Sequence, residues 1–220
     1  KPADCHGVVG QAATRLDLPA KVTGVPSYVH DLDLPGMVHG RIIRPPNYGA
    51  RLQSVDERMV AQMPGVISIV RDGSFLGVIA EREEQAIAAS VALQAQAVWD
   101  TTTQLPAPET IYDHLLSQPA QTQLIVDGIA TDAPISASVA PAEAAQTLAA
   151  TYYRPYQMHA SLGPSAAVAE WRTADPHQPL TIWSHTQGVF PLRAAIAGVL
   201  GLEPTQIHVI HTEGSGCYGH

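Results

Sequence analysis

The chain has 220 residues, 45% of them hydrophobic and 15% charged, with a formal net charge of −8. That acidic balance, with no basic stripe, argues against a nucleic-acid-binding face. No run reaches the roughly 18 to 20 apolar residues of a membrane-spanning helix, and two cysteines make no disulfide framework.

Residues 1–16 read as a lead-in, and no signal peptide or lipidation motif is visible. "MVHGRIIR" (37–44) predicts a strand, with Gly40 marking a bulge. Ser54-Val-Asp-Glu57 has capping-box spacing and predicts a helix that stops near Met63-Pro64-Gly65. "GVISIV" (65–70) and "FLGVIA" (75–80) predict two strands joined by the hairpin-type turn Arg71-Asp-Gly73. "EREEQAIAASVALQAQAVW" (81–99) is the clearest helix, with acidic residues in the first turn where the helix dipole favours them. Ile87, Val91, Ala95 and Val98 are expected on its buried face. Residues 17–100 are therefore expected to form one unit of alternating strands and helices.

From 101 to 146 the composition shifts to Thr, Pro, Ala and Ser, which predicts an extended connector. Structure is expected to resume at "TLAATYYRPY" (147–156). "SAAVAEW" (165–171) and "PLTIWSH" (179–185) read as strands around the turn-like "RTADPHQ". Gln187 follows, then a helix with Pro191 near its first turn. Leu192, Ala195, Ile196, Val199 and Leu200 share a helical face, and Gly201 suits the C-terminal cap. "QIHVIH" (206–211) is a last strand, and "EGSGCYGH" (213–220) follows it.

Within that final stretch, Gly214-Ser-Gly216-Cys-Tyr-Gly219 matches the dinucleotide fingerprint GxGxxG. Such a fingerprint should join the first strand of a βαβ unit to a helix, with an acidic residue about 20 positions further on. Here the glycines come late, after several strands and a helix, so a Rossmann-type nucleotide binder using Gly214, Gly216 and Gly219 is the weaker alternative. Glycines also let main-chain N–H groups approach a ligand with no Cβ in the way. If strands 179–185 and 206–211 run parallel, the helix between them brings Gln187 and the glycine loop to one edge of the sheet. Ligands gather at that edge in α/β folds. The Gln187 amide can donate and accept there; an ordinary helix-cap glutamine fits the pattern equally well.

Ten histidines invite a metal-site reading. His208 and His211, three apart on one strand, point to opposite faces. Cys217-x-x-His220 has ligand spacing but lacks the two further ligands of a zinc site. No metal held by protein side chains is expected.

The segment "LTIWSHTQGVFPLRAAIAGVLGLEPTQIHVIHTEGSGCYGH" resembles the first molybdenum-cofactor-binding segment of the xanthine dehydrogenase/aldehyde oxidase large subunits. "TRLDLPAKVTGVPSYVHDLDLPGMVHGRIIRPPNYGARL" resembles the start of that family's a/b hammerhead domain, and "YQMHASLGPSAAVAEW" adds a third block. Many relatives carry glutamate where this chain has Gly163. Many also have three consecutive glycines and a phenylalanine where it has Gly214-Ser-Gly216-Cys217-Tyr218. Both departures are similar to the isoquinoline 1-oxidoreductase branch of bacterial enzymes.

The resemblance implies an α+β chain. After the lead-in it places a hammerhead-like domain over 17–100, the connector over 101–146, and the first part of a mixed α/β molybdenum-cofactor-binding domain over 147–220. It implies molybdopterin with molybdenum, in the cytosine dinucleotide form, held by the pterin and not by side chains. Gln187, Gly214, Gly216, Cys217, Tyr218 and Gly219 are the implied cofactor contacts, and Tyr218 and His159 the implied substrate neighbours. The implied chemistry is hydroxylation of an N-heteroaromatic or aldehyde substrate with water as oxygen source, in the cytoplasm or the periplasm. Electrons would pass to a small [2Fe–2S] subunit and on to an acceptor such as a cytochrome c. The glutamate base of the family is expected downstream of His220, so no catalytic residue is expected in this chain, and the 220 residues alone are expected to be inactive. They are expected to self-associate or to pack with the rest of a large subunit. A non-catalytic scaffold of the same fold is a further alternative.

Overall fold

The β-hairpin at residues 66–80 shows how local sequence sets the first unit. The structure is a computed structural model that describes every residue except Lys1, 102–104, Ala137, Ser138, Cys217, Gly219 and His220. Its residues fall into two units, 38–157, and 1–37 together with 158–220. In chain order, helix α1 (Leu18–Val22) lies in the second of these. Strands β1 (His39–Ile42), β2 (Arg51–Val55), β3 (Val66–Asp72) and β4 (Phe75–Ala80) follow in the first. Helix α2 (Glu83–Gln96) and strand β5 (Ala97–Asp100) come next, then helix α3 (Ile111–Ser117) and the short strands β6 (Leu124–Val126) and β7 (Ile129–Thr131). The second unit is completed by β8 (Ala167–Trp171), β9 (Leu180–Ser184), helix α4 (Val189–Leu200) and β10 (Ile207–His211).

In the unit of residues 38–157, β4 is central, antiparallel to β1 on one side and β3 on the other. Its Leu76, Val78 and Ala80 are fully buried, as a strand covered by neighbours and a helix must be. Gly73, at φ +56°, turns the chain between β3 and β4 in a region a side chain disfavours. Helix α2 packs against β1 and β4. Ala86, Ala89 and Leu93 face inward and join a core of Ile43, Leu52, Val60, Leu76 and Val78. Strands β2 and β5 pair antiparallel beside it.

Several expectations are corrected here. The helix expected from Ser54 does not form: Ser54 lies in β2, paired with Val98 of β5, and only a single 3-10 turn at Val60–Gln62 remains. Cross-strand pairing outweighs the local capping signal. The long helix stops at Gln96 because residues 97–100 are drawn into that same pairing. Its buried stripe is also rotated from the expected one. Ile87 is 43% and Val91 67% exposed, whereas Ala86, Ala89 and Leu93 are fully buried. Alanines let the helix backbone approach the sheet closely, which two larger residues would prevent. The β1–β4 register is regular through Gly40, and the irregularity falls in β3 between Val66 and Ser68. The stretch 101–146, expected to be extended, contains α3 and the β6–β7 hairpin. Residues 147–156, expected to be structured, carry no helix or strand.

In the unit built from 1–37 and 158–220, β9 is central, antiparallel to β8 and parallel to β10. The mixed sheet matches the expected α+β class. Leu180, Thr181, Ile182 and Ser184 of β9 are buried. Helix α4 makes the β9-to-β10 crossover, packing Ala197 against Ile207 and Val209 with Val189, Leu192 and Ile196 alongside. Gly201 ends it at φ +66°, with the Gly201 N–H bonded to the Ala197 carbonyl, as a C-terminal glycine cap should.

Candidate functional site

Parallel pairing of β9 with β10 puts the exits of both strands at one edge of the sheet. His185, Thr186, Gln187 and Gly188 leave β9, and Thr212 to Gly216 leave β10. The two exits are stitched together. The Thr212 N–H donates to the Ser184 carbonyl at 3.0 Å. His211 Nδ1 lies 2.9 Å from the Thr186 carbonyl, and since a carbonyl only accepts, Nδ1 carries the proton. The Thr186 N–H donates to Ser184 Oγ and the Gly188 N–H to Thr186 Oγ1, each at 3.2 Å.

A cavity of about 660 Å³ opens at this edge. Gln187, Gly188, Thr186 and His185 line one side, and His211, Glu213, Gly214 and Gly216 another. His159, Ser161 and Ser165, from the segment before β8, complete the lining. Ser161 Oγ donates to the Gly216 carbonyl at 3.1 Å, which ties that segment to the glycine loop. The structure thus brings Gln187, Gly214, Gly216 and His159 together around one space. Tyr218 is 60% exposed and does not line it; its ring lies over Gly216, and its backbone sits at φ +57°. Cys217 and Gly219 lie outside the described residues.

The glycines are required at two points. A Cβ on Gly214 would stand 2.5 Å from His185 Cβ and Cγ, and no small movement of a chain end relieves that contact. Gly216 has φ +96°, and a Cβ there would meet the Tyr218 ring at 2.8 Å.

Residues that sequence reading passed over also shape the site. Glu213, at the start of the loop, is the acid among the cavity-lining residues, and Lys21 of α1 forms an ion pair with its carboxylate. Lys21 also bonds Asp17 at 2.7 Å. Hydrogen bonds from Arg15 and Lys21 hold the Asp17 carboxyl far below the ordinary carboxylate range, and bonds to Asp17 and Glu213 raise Lys21 above its usual value. Only the long-range partner of Lys21 shows its role, and nothing local in "LDLPAKVTG" points to it. His30 Nε2 donates to the Pro164 carbonyl at 2.8 Å and fixes the segment after Ser161.

Among the described residues, no group of three or more His, Cys, Asp or Glu is arranged to hold a metal ion. The lining residues carry amide, hydroxyl, imidazole and, at Glu213, carboxylate groups, with close main-chain access at Gly214 and Gly216. The Ser215 Oγ beside them is buried with no hydrogen-bond partner. Such a donor set suits a polar ligand held by hydrogen bonds.

Comparison with known proteins gives a consistent answer. Residues 129–220 match the family model of the molybdopterin cofactor-binding domain. A nicotinate dehydrogenase subunit of Pseudomonas putida is 38% identical over 228 aligned positions, covering all of this chain and 18% of that protein. The chain therefore spans less than a fifth of that relative. Quinoline 2-oxidoreductase from Pseudomonas putida 86 has a similar fold: TM-score 0.66, 20% identity, 96% of this chain and 31% of that one. So has the aldehyde oxidoreductase from Desulfovibrio gigas: TM-score 0.66, 23% identity, 93% of this chain and 27% of that one.

Proposed function

The chain belongs to the molybdopterin-binding subunits of the xanthine dehydrogenase/aldehyde oxidase family, and from that premise we propose that it is part of a large subunit that hydroxylates an N-heteroaromatic or aldehyde substrate. The observation that carries this is the convergence of Gln187 with Gly214 and Gly216 on one cavity at the sheet edge. The name of the Pseudomonas putida relative favours the heteroaromatic class. The domain boundaries of this reading are a hammerhead-like domain over 17–100, a connector over 101–146 and the cofactor segment from 147.

In this reading, molybdopterin in its cytosine dinucleotide form supplies the redox-active molybdenum, with water as the oxygen source. The residues of this chain bind, orient and exclude water. The Gln187 amide, at the N-terminal approach to α4, would hold the cofactor by a hydrogen bond. The main chain at Gly214 and Gly216 forms a wall that planar groups can approach closely. Cys217 and Gly219 remain cofactor contacts that the resemblance alone implies. His159, in the cavity lining, would flank the substrate; Tyr218, outside the lining with its ring against Gly216, would reach the substrate only after turning inward. Electrons leave through a small [2Fe–2S] subunit, with a cytochrome c as a further acceptor.

Metal and nucleotide analysis of the full-length protein tests this. Stoichiometric molybdenum, with cytidine monophosphate released by acid hydrolysis, is the expected result. Gln187→Ala should lower turnover about 10- to 100-fold, in the range seen when an outer partner of a metal site is lost. A folded protein without molybdenum overturns the proposal in favour of a scaffold, and binding of a nicotinamide dinucleotide would favour the Rossmann-type alternative.

A further inference from the structure

We infer that Lys21 is a positioning residue for the glycine loop and that its charge makes the cavity receptive to a phosphate-bearing ligand beside Glu213. The inference rests on the reading of this cavity as the seat of a phosphorylated pterin. Glu213 presents the acid of the cavity lining immediately before Gly214. Left alone, its carboxylate, on a side chain 48% exposed, would repel an anion approaching the site through a partly screened interaction. Lys21 offsets that repulsion from 192 positions earlier in the chain.

The grip on Glu213 has three parts. Lys21 Nζ holds its carboxylate. The Val29 N–H donates to its carbonyl at 2.7 Å. Tyr28 pairs with it in an isolated parallel bridge. Lys21 itself is well placed, its side chain only 15% exposed. Asp17 accepts from its ammonium at 2.7 Å, and the Tyr28 ring centroid lies 5.3 Å from Nζ. Arg15 in turn bonds Asp17 at 2.9 Å, so Asp17 does not withdraw the whole charge of Lys21 from Glu213. The segment carrying α1 thus fixes where the loop after β10 begins and cancels its charge.

Inorganic pyrophosphate, titrated calorimetrically into the cofactor-free full-length protein, provides the test. Lys21→Met should weaken pyrophosphate binding at least tenfold, Lys21→Arg should retain it, and adding Glu213→Gln to Lys21→Met should restore most of it. A clamp with a purely mechanical role would not be rescued by removing the acid. Unchanged affinity in Lys21→Met, no recovery in the double variant, or no binding by the unaltered protein would each overturn the inference. Molybdenum content, measured in parallel on protein purified with its cofactor, should follow the same order. Absence of molybdenum from the unaltered protein would overturn the pterin reading, while the pyrophosphate series still decides the role of Lys21.

Discussion

Gly163 and Ser215 stand against each other: a Cβ built on residue 163 would lie 3.3 Å from Ser215 Cβ. A side chain added on one of these loops must therefore be accommodated by the side chain already present on the other. Gly163→Glu alone should crowd Ser215 and lower stability by about 1–3 kcal/mol, the usual cost of overpacking. Adding Ser215→Gly should recover it. Thermal unfolding of the four proteins in the cycle measures the coupling, and additive effects would mean that the two positions are independent.

Helix α2 has two apolar stripes, and only one of them faces the core. Leu93 is fully buried, and Leu93→Ala should cost about 2–5 kcal/mol. Val91 is 67% exposed, and Val91→Ala should change stability by no more than about 0.5 kcal/mol. Urea denaturation of both variants distinguishes the stripes. Equal losses would mean that the helix is rotated from the position described.

Asp56 is held below the ordinary carboxylate range, at about 2, by hydrogen bonds from the Arg58 side chain and then from the Arg58 N–H. Its folded value lies below its unfolded one, so the stabilisation is complete above about pH 4 and is lost as pH falls through about 2. The pair is exposed and screened by salt, so the contribution is small. Asp56→Asn should be less stable than the parent at neutral pH and converge with it near pH 2. Denaturant midpoints across that range check the sign, and a gap that widens toward acid would contradict it.

The parts of this protein written into its sequence are those that depend on near neighbours. Gly73 and Gly201 turn the chain where only positive φ serves, and the strands at 66–72 and 75–80 and the helix at 189–200 follow from period and punctuation. The meeting of Gln187 with the glycine loop was also legible, because a strand–helix–strand crossover returns the chain to the same sheet edge. Tertiary structure decided the rest. Ser54 and residues 97–100 became strands only because each supplied the other's missing hydrogen bonds. Helix α2 turned its alanines inward because the sheet beneath admits a close backbone and not two bulky side chains. Lys21 acquired a role through an acid far along the chain. Each of these outcomes is set by a partner distant in sequence, and local pattern carries no record of which distant groups folding will bring together.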